Sequence, residues 1–257
     1  MQSAVNRASE QQSRTAEVLA YGSDRSNFIN ARYLTDAALT EIRAWYDDPI
    51  PRPIGLEDFL VPQVARDMGE VLRTLPSWSR YAGIYQGRTG KEERFDDDIP
   101  DDAQPTASHQ IVRDIPALLE GRTLSAEHRA VLERFFAFSL ISEAFQGWLI
   151  AATGLKLRRV ANIELACYQN SDGIGEHQDL VPGRVLALNF YLDESYDPAQ
   201  GGHLGLRNAA GEVHHVVPRF NTLSVIPIRE DCWHWVEPFR TSGTGRFTVA
   251  MGQHLAS

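Results

Sequence analysis

The sequence predicts an α+β fold in which a helical N-terminal half supports an all-β C-terminal half. Up to residue 154, apolar residues recur at helical spacing, and from residue 155 onward short strand-like runs are separated by Gly, Pro, Asn and Asp. Helices followed by strands are typical of α+β proteins. Short strands at this spacing favour a jelly-roll barrel, that is, a double-stranded β-helix, with the helices packed on its sheet.

We expect a single domain, because a chain of 257 residues suits one large hydrophobic core. Residues 1–15 are polar and are predicted to form a flexible tail. Residues 16–154 are predicted to be mainly helical support, and residues 155–257 to be the jelly-roll core.

Helices are predicted from apolar spacing and from their start and stop residues. One begins at Thr35-Asp36, and another spans Phe59–Leu75. Ser125–Thr153 is predicted to be one long, mostly buried helix that Gly154 ends.

The stretch Gly87–Gln110 is predicted to be a polar loop, and it holds the acidic runs Asp96–Asp98 and Asp101-Asp102. A solvated loop is the main interpretation, with a cation site or a lid over a cavity as alternatives. The strands predicted beyond it are Ile163–Gln169, Val185–Leu192, His203–Leu206, Thr222–Ile228 and Phe247–Gly252.

The composition argues against several classes of protein. A net charge of −9 disfavours a broad nucleic-acid-binding surface, which needs clustered cations. Cys167 and Cys232 are too few for a disulfide framework, although one disulfide between them stays open. With no apolar leader, we expect a cytoplasmic protein without membrane association, either a monomer or a homodimer.

His177-Gln178-Asp179 is the most informative motif. Residues i and i+2 of a strand share a side, so His177 and Asp179 could bind one metal ion, and His234 from another strand could complete a 2-His-1-carboxylate set. Such a set leaves coordination positions open for a cosubstrate and O₂. Taken alone, the tripeptide is about as consistent with a chance occurrence as with a metal site. Taken alone, His234 would be interpreted as a histidine packed among aromatic residues.

Arg246 lies at the start of an apolar strand, 12 residues after His234. A buried guanidinium needs a partner, and its planar fork matches a carboxylate. Thr248, two residues later on the same face, could donate another hydrogen bond. A structural salt bridge is the alternative interpretation of Arg246.

The chain resembles the 2-oxoglutarate/Fe(II)-dependent dioxygenases, and within them the prolyl-hydroxylase-like branch. The resemblance covers about residues 160–254. The matching stretches, in order, are Ala166–Tyr168 through His177–Asp179, Arg184–Asp193, Gly201–Leu204, Asn221–Ile226, His234–Val236 and Arg246–Val249.

The resemblance implies a role for each matched residue. His177, Asp179 and His234 would bind iron, and Arg246 would hold the distal carboxylate of 2-oxoglutarate. Tyr191 would reach the same carboxylate.

Two further positions belong to the implied cosubstrate pocket. Tyr168 would line it, with core packing as the rival interpretation for both tyrosines. Asn189 shares a strand face with Tyr191, so we expect it to face the cavity, where an apolar residue is more usual.

The implied activity is hydroxylation of an unactivated C–H bond, with release of succinate and CO₂. It requires Fe(II), 2-oxoglutarate and O₂, with ascorbate as a helpful reductant. Asp179 favours hydroxylation over halogenation, because the halogenating relatives lack this carboxylate.

The substrate is predicted to be a small molecule, such as an amino acid or a natural-product intermediate. Arginines that could pair with a substrate carboxylate, or simply be solvated, are Arg158, Arg159, Arg184 and Arg207. A peptidyl, prolyl-type hydroxylase is the alternative. A non-catalytic jelly-roll ligand-binding protein is less favoured, and a zinc hydrolase lacks a recognisable general base.

Overall fold

The structure is a computed structural model. It describes residues 13, 15–76, 78–86, 91–95, 105–121, 123–158, 163–240, 243 and 245–256. The helices are α1 (15–23), α2 (Asp36–Tyr46), α3 (Pro62–Thr74), α4 (Ile115–Glu120), α5 (Ala126–Phe136) and α6 (Ala144–Thr153).

The strands of the N-terminal half are β1 (Ile54–Leu56), β2 (Ser79–Gln86), β3 (Lys91–Phe95) and β4 (Ala107–Ile111). Those that follow are β5 (Leu157–Arg158), β6 (Ile163–Tyr168), β7 (Gly173–His177), β8 (Arg184–Tyr191), β9 (Leu204–Asn208), β10 (Val213–Val216), β11 (Thr222–Pro227), β12 (Cys232–Val236) and β13 (Arg246–Leu255).

The strands form a nearly closed antiparallel barrel. One side has the order β1-β11-β8-β13-β6, and the other has the order β7-β12-β9-β10. Strand β4 pairs with both β6 and β7 and so joins the two sides. The predicted α+β jelly-roll is confirmed, and the helices pack against the first side.

The N-terminal half contributes more to the sheet than the sequence predicts. The predicted polar loop Gly87–Gln110 contains β3 and most of β4, so that prediction was wrong for these residues. The sequence of β3, Lys-Glu-Glu-Arg-Phe, is mostly charged and so does not show the apolar alternation of a half-buried strand. Among the described strands, β3 pairs only with β2, and edge strands commonly carry charged residues. Asp96–Asp98 and Asp101-Asp102 lie outside the described residues.

Ser125–Thr153, predicted to be one helix, is broken in the middle. Its two parts, α5 with a π-helical turn at Ala137–Ile141 and then α6, are bent by 44°. Ser142 lies at the break, with its Oγ 2.9 Å from the carbonyl oxygen of Gly22 and 3.2 Å from that of Phe138. A serine hydroxyl that bonds to backbone carbonyls competes with the helical ladder, which explains the break.

No single helix in the described part of the chain is long and apolar enough to cross a membrane. The bent α5–α6 pair reaches, as a pair, the length and apolar composition of a membrane span, but its large aromatic residues are buried in the core.

Asn221 ties the N-terminal half to the barrel. Its Nδ2 donates to the carbonyl oxygen of Leu60, and its Oδ1 accepts from the Leu60 N–H, each at 2.9 Å. Asn221 has a φ of 59°, a region that asparagine tolerates better than most residues. This contact holds the segment before α3 against the start of β11.

Phe190 of β8 lies at the centre of the core between the barrel and the helices. It is 1% exposed, and its ring centroid lies 6.0, 5.5 and 5.4 Å from those of Phe59, Phe135 and Phe145. These tilted and edge-on contacts are the geometry that aromatic rings prefer.

Phe190→Ala is expected to lower the free energy of unfolding by about 3–5 kcal/mol, because it leaves a cavity among three rings. Denaturant-induced unfolding, followed by tryptophan fluorescence, measures the loss. Ile150→Ala on α6, where the side chain is 38% exposed, is the control and should change stability by less than about 1 kcal/mol. Equal losses in the two variants would contradict the central position of Phe190.

Candidate active site

The two histidines of the predicted metal site face each other across neighbouring strands. His177 ends β7, His234 lies in the middle of β12, and the two are paired directly in the antiparallel register. Directly opposed residues point to the same side of a sheet. The ring centroids are therefore only 4.1 Å apart, and both side chains are buried.

Asp179 lies beside these histidines, but not through the strand geometry that the sequence suggested. Strand β7 ends at His177, and Asp179 lies beyond it with a φ of 58°, in the left-handed region. Placement of both residues on one strand face was therefore the wrong explanation. Such a conformation is uncommon and concentrates at functional sites.

The three side chains form a compact set of metal ligands. Asp179 Oδ1 lies 3.8 Å from His177 Nε2, and Asp179 Oδ2 lies 3.6 Å from His234 Nε2. One ligand atom from each residue lies within 4.8 Å of the others. Two imidazole nitrogens and one carboxylate on one side of a cavity suit Fe(II) and leave its other positions open.

The electrostatics suit metal binding. Burial, helped by the neighbouring His234, lowers the pKa of His177 to about 4, so the ring is neutral at pH 7. Its Nδ1 lies 2.9 Å from the Gly175 carbonyl oxygen, which keeps the proton on Nδ1, so Nε2 is the unprotonated nitrogen that can bind a metal. Burial raises the pKa of Asp179, but the contact with His234 and the positive charge of Arg184 outweigh it and hold the pKa below its usual value. Metal ligands must be deprotonated, and these shifts favour that form of His177 and Asp179.

The segment before His177 is held by buried hydrogen bonds and by close strand packing. Asp172 is fully buried and accepts hydrogen bonds from Arg80 Nη1 and Ser108 Oγ at 2.8 and 2.9 Å. Gly173 lies within β7, where a Cβ would come 2.9 Å from a carbonyl oxygen of β12. The glycine therefore allows close approach of the two strands.

Arg246 lies at the start of β13, buried between two tyrosines. Its Cζ lies 4.5 Å from the ring centroid of Tyr168 and 5.2 Å from that of Tyr191. Burial raises the pKa of both tyrosines despite this cation, so both are neutral donors at pH 7.

Donors around Arg246 lack partners among the described residues. Arg246 is 1% exposed, yet its Nε and Nη1 have no hydrogen-bond acceptor in the described part of the chain. The hydroxyl of Thr248, 2% exposed, has none there either. Buried donors are nearly always satisfied, so this cluster fits an anion such as the distal carboxylate of 2-oxoglutarate. The structural salt bridge considered for Arg246 is absent among the described residues.

A cavity of about 400 Å³ contains the triad. Tyr168 and Asn189 line it, as the sequence predicted for Asn189, whereas Tyr191 and Arg246 are not among its lining residues. The cavity is of a size that holds a small ligand or one residue of a longer one.

Tyr168, which lines this cavity, packs against a residue that sequence reasoning missed. His109 of β4 is buried and stacks on Tyr168 at 5.1 Å, and its Nε2 lies 3.2 Å from Glu164 Oε1. The ring of Tyr81 on β2 lies 4.7 Å from the His109 ring, and Tyr81 also lines the cavity. No motif marks these residues, because they come from strands that the sequence did not predict.

Arg184 also belongs to the site. Its Nη1 lies 2.9 Å from Asp179 Oδ2, so it supports a candidate metal ligand instead of remaining free for a substrate. Of the other arginines considered, Arg207 pairs with Glu176 on the surface, Arg158 is exposed, and Arg159 lies outside the described residues.

Arg184→Ala is expected to weaken divalent-metal binding about 10- to 100-fold, because residues that orient a metal ligand have effects of that size. Calorimetric titration with Mn(II) measures it, with Arg207→Ala as the control for loss of an exposed arginine. Unchanged Mn(II) affinity in Arg184→Ala would show that Asp179 does not depend on this contact.

The β half matches a known family. Residues 163–251 match the model of the 2OG-Fe(II) oxygenase superfamily. Over 124 residues, the chain is 27% identical to prolyl 3-hydroxylase OGFOD1 of Xenopus laevis, which covers 46% of this chain and 24% of that protein. The mouse protein of the same name is 26% identical over 117 residues, 43% of this chain and 22% of its own length. The chain thus spans about a quarter of these relatives.

Solved structures share the fold. A Trichoplax adhaerens prolyl hydroxylase, in complex with a peptide fragment of the hypoxia inducible factor oxygen degradation domain, matches with a TM-score of 0.59. It is 13% identical, and the match covers 85% of this chain and 90% of that one. A Pseudomonas putida prolyl-4-hydroxylase matches with a TM-score of 0.55 and 18% identity, over 84% of this chain and 100% of that one.

The family match includes all three candidate metal ligands and Arg246, and the fold agrees with it. Members of this family use Fe(II), 2-oxoglutarate and O₂. Residues 163–251 therefore match the 2OG-Fe(II) oxygenase superfamily, and the chain is similar to prolyl hydroxylases in part of its sequence and in its fold.

Proposed function

We propose that the chain hydroxylates a prolyl residue of a peptide or protein, with 2-oxoglutarate as cosubstrate. The observation that supports 2-oxoglutarate as the cosubstrate is the buried guanidinium of Arg246, whose Nε and Nη1 have no acceptor among the described residues. His177, Asp179 and His234 would hold the iron in the cavity. Tyr168 also lines this cavity, and Arg246 packs against the Tyr168 ring.

Support for a peptide substrate comes from two directions. The curated relatives are named prolyl 3-hydroxylases, and a structural neighbour is described with a bound peptide fragment. In addition, a second cavity of about 340 Å³ adjoins the first, since Ile174 and Val236 line both. Trp235 and Pro105 contribute to its lining. An extended chain could place one residue in the metal cavity and the next residues in this one.

The protein's own contribution to the reaction is binding, orientation and exclusion of water. When bound, iron supplies the oxidative chemistry: one oxygen atom of O₂ enters the substrate C–H bond as a hydroxyl, and the other enters succinate as 2-oxoglutarate loses CO₂. Arg246, with Thr248 and Tyr191, would neutralise the distal carboxylate and so set the direction of the 2-oxo end toward the triad. Tyr168, which lines the cavity, stacks on His109.

A small-molecule substrate is the second candidate, because a cavity of about 400 Å³ also fits a free amino acid. For either substrate we propose a cytoplasmic location. Cys167 and Cys232 do not form a disulfide with each other, and burial raises the pKa of each thiol to about 12. Cysteines that remain thiols fit a reducing compartment.

Succinate release separates the two substrate classes. The purified chain with Fe(II), ascorbate and 2-oxoglutarate is incubated with a library of proline-containing peptides, and in parallel with free amino acids. We expect stimulation by peptides and a mass increase of one oxygen on proline. Stimulation by free amino acids alone would overturn the peptide proposal, and no binding of 2-oxoglutarate at all would overturn the cosubstrate.

A further inference from the structure

The cosubstrate pocket contains a polar residue where the family resemblance leads us to expect an apolar one. Asn189 of β8 faces the cavity, directly opposite Ser224 of β11 and Ala250 of β13 in the sheet register. Inside a half-buried strand, an amide needs hydrogen-bond partners. Asn189 has one in Ser224, since its Nδ2 lies 3.2 Å from Ser224 Oγ.

Ser224 continues this contact to a third residue. Ser224 is fully buried, and its Oγ donates to the phenolic oxygen of Tyr191 at 3.3 Å. Tyr191 is two residues beyond Asn189 on the same strand face, so Ser224 lies diagonally opposite it. The three side chains therefore form a continuous chain of hydrogen bonds along one face of β8 and β11.

The direction of these bonds follows from the donors available. An amide nitrogen can only donate, so Asn189 occupies an acceptor position of Ser224 Oγ. The single proton of Ser224 is then directed to Tyr191. Tyr191 also accepts a hydrogen bond from Arg246, so Ser224 and Arg246 occupy both acceptor positions of its phenolic oxygen, and its own proton is directed to a third group.

We propose that Asn189 and Ser224 are positioning residues that orient the Tyr191 hydroxyl as a donor to the distal carboxylate of 2-oxoglutarate. This inference rests on the proposed cosubstrate but not on the proposed prolyl substrate. It accounts for a polar residue at position 189, because an apolar side chain there would leave the Ser224 proton undirected. Tyr191 then joins Arg246 and Thr248 as the third donor in the anion site.

The test is a double-mutant cycle on 2-oxoglutarate binding, measured by calorimetry with Mn(II) in place of iron. Asn189→Ala is expected to weaken binding about three- to tenfold, the effect of one lost neutral hydrogen bond. In the Tyr191→Phe background, the same change should have no effect, because the hydroxyl that it orients is gone. Ser224→Ala, which leaves Asn189 in place, should reproduce the loss and the cycle.

A second ligand separates positioning from a general structural role. 2-Oxopentanoate has a methyl group in place of the distal carboxylate, so the wild type and Asn189→Ala should bind it equally. Equal losses of affinity in the wild-type and Tyr191→Phe backgrounds, or for both ligands, would overturn the inference. So would an unchanged 2-oxoglutarate affinity in both Asn189→Ala and Ser224→Ala. If the wild-type chain itself does not bind 2-oxoglutarate, it is the proposed cosubstrate that fails.

Discussion

His234→Ala is expected to abolish the release of succinate and to lower Mn(II) affinity by more than about 100-fold. Loss of a ligand should exceed the effect of losing a residue that only orients one. His234 lies on β12 directly opposite His177, and its Nε2 is one of three ligand atoms within 4.8 Å. Succinate assays and calorimetric Mn(II) titration measure the two effects.

The control is His128→Ala on α5, where the Nδ1 atom of the histidine lies 3.3 Å from the hydroxyl of the exposed residue Thr74. It removes an imidazole without touching the cavity. Asp179→Gly provides an independent variant, since glycine accepts the φ of 58° without strain and removes only the carboxylate. Wild-type turnover in either His234→Ala or Asp179→Gly would refute the assignment of the metal site.

Arg246→Gln is expected to weaken 2-oxoglutarate binding about 30-fold or more while leaving Mn(II) affinity unchanged. Removing one partner of a buried, charge-assisted contact typically costs about 2–5 kcal/mol, and about 1.4 kcal/mol corresponds to a tenfold change. Calorimetric titration with 2-oxoglutarate in the presence of Mn(II) measures it. Arg246→Lys should have an intermediate effect, because lysine keeps the charge but loses the planar fork.

The matched control is Arg207→Gln, because Arg207 makes its two hydrogen bonds to Glu176 on the surface. Arg246 also packs against Tyr168, so thermal unfolding of each variant is needed to separate lost binding from lost stability. An Arg246→Gln variant that folds and binds 2-oxoglutarate normally would contradict the anion site.

The sequence predicted which residues form this site better than it predicted the backbone geometry that brings them together. His177, Asp179, His234 and Arg246 were identified from spacing and strand pattern, and the structure brings the first three together at one cavity. The conformation of Asp179 was not predictable in this way. A left-handed residue after a strand leaves no signal in hydrophobic periodicity, because it depends on a single backbone angle.

The helical half shows the same limit. The break at Ser142 depends on a contact with Gly22, 120 residues away, so a local pattern of apolar residues could only suggest one helix. Strand β3 was missed because its charged side chains are compatible with a loop until β2 pairs with it. His109, which stacks on the cavity residue Tyr168, was missed because it lies on β4, a strand that the sequence did not predict.

The amino-acid sequence alone determined the fold class and the identity of the candidate ligands, because alternation, turn residues and ligand types are local properties. The tertiary structure decided which groups support them. Arg184 beside Asp179, the stack of His109 on Tyr168, and the chain from Asn189 to Tyr191 all join separate strands. Such contacts follow from strand register and long-range pairing, which exist only once the barrel has closed.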